Sequence, residues 1–193
     1  MESLSTFWLS VLLFLLIIAS AFFSASETSM MALNRYRLKA LSAKNNIQAK
    51  RVEKLLKKID YLIGGILLGN NFVNILAASI ATLLSIKLWG EGSVIIASLV
   101  LTLVILIFAE NTPKTFAAKN PEKIALPASW LLEILIKIFK PLIYLISVIS
   151  QFILQLFGLK NVSKDILNSE ELRMAVKDSK SQMSKNYQNM LLN

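Results

Sequence analysis

Three short stretches of this chain combine residue types that could hold a cation. In LVILIFAENTPKTFAAKNPEK (Leu103–Lys123), an apolar run long enough to sit in a membrane carries a carboxylate, Glu110, with Pro113 one turn later. A carboxylate at or just inside a membrane boundary is costly and by default marks a site. Pro113 sharpens this, because proline has no N–H to give the carbonyl four residues earlier, that of Ala109. The helix is then expected to kink and leave that oxygen free beside the carboxylate. A plainer reading stays open, in which Glu110 snorkels to water and Pro113 simply ends the helix.

Matching oxygens come from two other stretches. Ser20 and Ser24 stand i, i+4, so both hydroxyls leave one face of a helix, and Ser26, Glu27 and Thr28 follow in SASET. In LLGNNFVN (Leu67–Asn74), Asn70 and Asn74 are again i, i+4, and Gly69 is expected to permit close approach of another backbone. Amides buried in hydrocarbon must find partners, although Ser, Gly and Asn also serve simply to join helices. One carboxylate among neutral hydroxyl, amide and carbonyl donors suits a hard cation such as Mg²⁺, which takes oxygen ligands and dehydrates reluctantly. Such a set would bind without holding permanently, as a transport site must. Glu27 is a weaker candidate, able to face a pore, a basic loop or a helix end.

The elements that must position these residues are membrane helices. The chain has 193 residues, 55% of them hydrophobic, and a mean hydropathy of +0.59. No charge occurs between Glu2 and Glu27, between Asp60 and Lys87, or between Glu91 and Glu110. Each window approaches the ~20 apolar residues of a membrane span. We expect spans over Leu4–Ser26, Tyr61–Ile86 and Val94–Ala109, the first of them not a cleavable signal peptide because it carries Glu2 and no basic leader. Cys and His are both absent. That excludes disulfides, thiolate chemistry, zinc hydrolysis and a Ser–His triad, and leaves no evident nucleophile–base pair for an enzyme beyond Glu27 or Glu110 acting as a base.

The net charge is +9, and its distribution argues against nucleic acid. Arg35, Arg37, Lys39, Lys44, Lys50, Arg51, Lys54, Lys57 and Lys58 all fall between the first two windows. This is the signature of a cytoplasmic loop, which puts the N-terminus outside, and such a loop can also meet anionic lipid headgroups. It reads as two helices broken at Asn45–Asn46, with Val52, Leu55, Leu56 and Ile59 forming an apolar face suited to the membrane surface. Beyond the third window, Glu133, Lys137, Lys140, Tyr144, Ser147, Gln151 and Gln155 recur at three- and four-residue spacing. A polar stripe of that kind, on one helix or a pair kinked at Pro141, fits an interfacial or half-inserted position better than a fourth span over Pro141–Leu159. NSEELRMAVKDS (Asn168–Ser179) reads as a capped amphipathic helix of a soluble tail. The expected architecture is an all-α membrane protein, with a membrane domain over residues 1–160 and a cytosolic helical tail over 161–193.

FSASET, LLGNNFVNILAAS and AENTPKTFAAKNPEKIA, in this order and spacing, resemble the transmembrane domain of the cyclin M (CNNM)/CorC family of magnesium exporters. The resemblance runs from about Leu4 to near Leu192. It implies three membrane helices, a belt of juxtamembrane amphipathic helices and a homodimer. It also implies a Mg²⁺ site that maps onto Ser20, Ser24, Gly69, Asn70, Asn74 and Glu110. Export out of the cytoplasm across the cell membrane follows from it, with Na⁺ entry as the coupled ion often proposed, although no residue here speaks to coupling. A Mg²⁺ sensor that regulates a partner without moving the ion is the alternative. The family continues into a cytosolic CBS pair, and this chain ends where those modules would begin. It departs from the family pattern at Ala109, where glycine is usual and added bulk would narrow the site, and at Asn111, which would add a donor.

Overall fold

The computed structural model describes residues 6–156. Among them every regular element is helical, and three helices are long and apolar enough to cross a membrane, namely Thr6–Ala32, Ile59–Trp89 and Glu91–Lys119. The protein is thus an all-α membrane protein with three spans. Each runs past the C-terminal bound expected for it, because helical hydrogen bonding continues beyond the hydrocarbon-length window. The candidate tail helix at Asn168–Ser179 lies outside the described residues. The described chain divides into two compact units on either side of the Ile143–Tyr144 bond.

In the first unit, α1 (Thr6–Ala32) is followed by α2 (Arg35–Ala43), α3 (Ile47–Leu56) and α4 (Ile59–Trp89). The α1–α2 corner is set by Asn34, whose side-chain oxygen accepts from the Tyr36 and Arg37 amides at 3.0 and 3.2 Å. This is an N-cap that satisfies two of the donors a helix start leaves open. The expected break at Asn45–Asn46 is present. Asn45 adopts a left-handed φ of 63°, which asparagine tolerates better than most residues, and the Asn46 side chain caps α3 by accepting from the Ala49 amide at 3.0 Å. Ser42 Oγ donates to Glu53 Oε2 at 2.7 Å and ties the two short helices together.

The apolar face of α3 does not lie on the membrane surface as expected. Val52, Leu55 and Leu56 are buried in a core shared with Phe23 and Met30 of α1, Leu62 and Ile66 of α4, and Ala125, Ala128 and Leu132 further on. An interfacial face and a core face share the same i, i+3, i+4 pattern, so periodicity cannot separate them.

After α4, Gly90 turns the chain with a φ of +81°, a conformation that costs glycine nothing. A single 3₁₀ turn at Glu91–Ser93 leads into α5 (Val94–Val104), a π-helical segment (Ile105–Asn111) and α6 (Thr112–Lys119). The third span therefore does not end at Ala109, and Pro113 does not stop it. The backbone instead widens to i→i+5 bonding just before the proline, with the Thr112 amide donating to the Ile107 carbonyl. A π segment absorbs a missing donor by shifting register, and such segments are frequent at functional sites.

The helix α7 (Pro121–Leu156) contains both Pro127 and Pro141, and is one helix rather than a pair. It is not among the apolar spans. Its residues up to Ile143 belong to the first unit and Tyr144–Leu156 to the second, where the helix is largely exposed.

Within the first unit α7 is fastened to the basic loop by charge. Glu122 pairs with Arg37 at 2.8 Å, while Glu133 pairs with Arg51 at 3.0 Å, Lys54 at 3.1 Å and Lys137 at 3.8 Å. The hydrogen bond from Lys54, helped by the charges of Lys54, Lys137 and Arg51, holds the Glu133 carboxyl below its usual value against partial desolvation. A carboxyl depressed in the fold contributes its stability above its unfolded pKa and loses it as pH falls through the folded one. Acidification from about pH 5 downward is therefore expected to lower the thermal unfolding midpoint of the wild type more than that of Glu133→Gln. Parallel slopes for the two proteins in detergent micelles would show that this cluster does not couple α3 to α7.

Candidate functional site

The first and second spans meet through small and polar residues. The Ser20 hydroxyl, 1% exposed, donates to Asn70 Oδ1 at 3.1 Å across the α1–α4 contact. Next to this pair in the fold, the tip of the Phe23 ring packs against Gly69. A Cβ built on Gly69 would come within 2.5 Å of the ring, closer than any real contact. The glycine is thus required by an aromatic side chain, not by the close backbone approach expected from the sequence.

One turn to either side of this level, because α1 and α4 run antiparallel, two oxygens lack a partner. Ser24 Oγ on α1 and Asn74 Oδ1 on α4 are buried and make no hydrogen bond among the described residues, and Ser26 Oγ shares this condition. Serines elsewhere on these helices avoid it by donating to their own backbone, as Ser29 does to Ser26 and Ser79 does to Ile75. A buried polar atom left without a partner costs on the order of 1–3 kcal/mol, and in a native fold that cost needs an explanation. Ser26 was not among the candidate ligands. It stands two residues from Ser24, on another side of the helix, so the i, i+4 pattern could not flag it.

Glu110 lies inside the π segment, which packs against α1. It is partly exposed and forms no ion pair among the described residues. Ala109 beside it is fully buried, so the methyl that replaces the expected glycine is accommodated in tight packing. Asn111 is exposed and lines a surface cavity with Thr112, Thr115, Phe116 and Lys119. Glu27 faces α6, where Lys114 Nζ approaches Glu27 Oε2 at 3.7 Å.

The structure thus joins Ser20 to Asn70 beside Gly69 on the α1–α4 contact, leaves Ser24 and Asn74 buried one turn to either side of that level, and sets Glu110 on the segment that packs against α1. No group of three or more acidic, His or Cys side chains occurs among the described residues, so the donors available for a cation are mostly neutral oxygens. A cavity of about 580 Å³ lies elsewhere between α1, α4 and α5, and is lined by apolar residues such as Leu13, Ala81, Trp89 and Val100. It holds none of these oxygens.

Three apolar spans with polar oxygens buried between two of them define an integral membrane protein with a polar site in its helix contacts. The chain belongs to the family described as the cyclin M transmembrane N-terminal domain, whose model matches residues 11–186. It is 49% identical over 175 residues to the UPF0053 inner membrane protein YfjD of Escherichia coli strain K12, covering 90% of this chain and 41% of that protein. A UPF0053 protein of Haemophilus influenzae is 43% identical over 180 residues, covering 93% of this chain and 43% of its own length. A polyamine export protein of Salmonella typhimurium is 29% identical over 179 residues, covering 86% and 40% respectively. The chain therefore spans about two fifths of the length of these relatives.

Two substitutions separate packing from site chemistry. Ser20→Ala strands a buried Asn70 oxygen and is expected to cost about 1–3 kcal/mol of stability, whereas Ser24→Ala removes an oxygen that already lacks a partner and is expected to be neutral or slightly stabilising. Thermal unfolding of the two variants in detergent checks this, and equal losses would refute it. Gly69→Ala is expected to cost about 1–3 kcal/mol through overpacking. Its penalty should shrink in a Phe23→Leu background, and additive effects in that cycle would mean the ring is not the obstacle.

Proposed function

We propose that this chain is the membrane domain of a Mg²⁺ transporter that exports the ion from the cytoplasm. The observation carrying this reading is that Ser24 Oγ and Asn74 Oδ1, one turn to either side of the Ser20–Asn70 bond on two antiparallel contacting spans, are buried with no hydrogen-bond partner among the described residues. A cation satisfies such oxygens directly, where a neutral neighbour would need a proton to donate. Ser20 and Asn70 add two more oxygens if their hydrogen bond opens, and Glu110 supplies the one formal charge. A hydrated Mg²⁺ exchanges water for these donors, and the modest charge of the set lets it leave again. The π segment gives Glu110 a backbone able to change register, and so to move toward or away from α1 as access alternates.

The same proposal places the N-terminus outside and the basic α2–α3 loop inside, following the positive-inside rule. It also includes residence in the inner membrane, as in the name of the Escherichia coli relative. A homodimer, a following cytosolic CBS pair and coupling to Na⁺ entry belong to it as well.

A second cargo is favoured by one observation, the relatives named polyamine export proteins. A polyamine is a chain of ammonium groups that donates hydrogen bonds to the same hydroxyl, amide and carboxylate oxygens. It would need anionic or acceptor sites spaced along its length, yet on the inner face Glu27 is already approached by Lys114. We therefore place Mg²⁺ first.

Proteoliposomes with a trapped Mg²⁺ indicator decide the matter. Flux by this chain, reduced at least tenfold in Glu110→Gln and Asn74→Ala, is the expected result. Equal flux in Glu110→Gln would remove the carboxylate from the path. Flux of labelled spermidine without Mg²⁺ flux would reassign the cargo, and Glu110-dependent Mg²⁺ binding without any flux would make the protein a sensor.

A further inference from the structure

We propose that the corner joining the inner ends of the first and third spans is a binding site for the phosphate headgroup of an anionic phospholipid. This inference is independent of the cargo. A cavity of about 330 Å³ opens there between the α1–α2 junction and the α6–α7 junction, lined by Asn34, Arg37, Lys119, Asn120, Glu122 and Lys123. Three of these side chains are cationic and one is anionic, and the anionic one is already engaged by Arg37 at 2.8 Å. Lys119 and Lys123 form no ion pair among the described residues, so the cavity carries an excess of positive charge that the protein itself leaves uncompensated. The first turn of α7 opens on the same corner, which adds the positive end of a long helix.

The surroundings point to a lipid as the source of the phosphate. Lys119 ends a membrane-crossing helix, and Ala32, which also lines the cavity, ends another. Tyr36, Phe116 and Trp130, on the helices that meet at this corner, are 83%, 53% and 60% exposed. Aromatic rings left exposed where spans end belong to the interfacial belt, at the level of the headgroups. A phosphate held between Lys119 and Lys123 on one side and Arg37 on the other would link the α1–α2 corner to the α6–α7 corner. The lipid would thereby brace the inner ends of the two spans that carry Ser24 and Glu110.

The test uses the whole chain in a neutral detergent, titrated with dioleoyl phosphatidylglycerol and, separately, with dioleoyl phosphatidylcholine and with inorganic phosphate. Binding is read by native mass spectrometry and by the thermal midpoint, which rises for any ligand that prefers the folded state. Lys119→Gln/Lys123→Gln is the test variant, and Lys39→Gln/Lys44→Gln, which removes the same charge from the exposed α2 region outside the cavity, is the control. A lysine at an anionic surface contributes a factor of roughly five in affinity. The test variant is therefore expected to bind phosphatidylglycerol roughly 25-fold more weakly than the wild type, with the control within about twofold. Equal losses in the two variants would reduce the effect to bulk charge and overturn the site. The full effect reproduced by inorganic phosphate would overturn the lipid as its source, and a phosphatidylcholine response equal to that of phosphatidylglycerol would overturn the anion requirement.

Discussion

Hydrocarbon offers a polar atom no hydrogen bond, so every oxygen buried between membrane helices must be satisfied by the protein, by trapped water or by a ligand. The α1–α4 contact is built around that requirement. At its first level the requirement is met, because Ser20 donates to Asn70 and Phe23 closes over Gly69. One turn to either side it is not met, because Ser24 on α1 and Asn74 on α4 present buried oxygens with no donor. A sheet of packed apolar side chains could have joined these helices at no such cost. The polar seam therefore marks where the spans trade stability for something other than cohesion, which is the usual bargain at a functional site.

The third span follows from the same constraint. A proline inside a membrane helix removes a donor that lipid cannot replace. Here the helix answers by shifting to π bonding over Ile105–Asn111 and continuing to Lys119. This places Glu110 in a stretch of the span whose backbone is not committed to α-helical register. Because that stretch rests on α1, a change in its register would be felt first by the helix that carries Ser20 and Ser24. Glu122 and Glu133 anchor α7 to Arg37, Arg51 and Lys54, and the buried faces of α3 and α7 share one core with Phe23 and Met30.

Much of this was legible in the sequence, and what was not has physical reasons. Three charge-free windows placed the spans because span length is set by the bilayer, a constraint that reads directly as hydropathy. The loop's break was legible at Asn45–Asn46, since asparagine both tolerates left-handed backbone and caps helices. The pairing of Ser20 with Asn70 lay within the i, i+4 sets, although which residues would bond and which would remain without a partner was not. That choice depends on the rotation and offset of two helices, which neither helix encodes alone. Gly69 showed that something must come close, but the sequence could not show that a ring 46 residues earlier would fill the space. The α3 face was misassigned to the membrane surface because lipid and protein core reward the same apolar stripe. The π segment was hidden for a related reason: a proline announces a missing bond, while the repair is chosen by the packing around it.

Under the proposed Mg²⁺ reading, a single carboxylate would suffice for a physical reason. A cluster of acids between helices would bind a divalent ion tightly, yet when the ion left they would repel one another in a medium that screens poorly. With neutral oxygens from Ser and Asn, the vacant state costs only unsatisfied dipoles, a few kcal/mol at most, and the charged group can relax toward water. Glu110 has that freedom, being partly exposed toward the C-terminal end of its span, while Ser24 and Asn74 are buried. Occupied and vacant states of such a site then differ little in free energy, and a small difference between states is what a carrier needs in order to cycle.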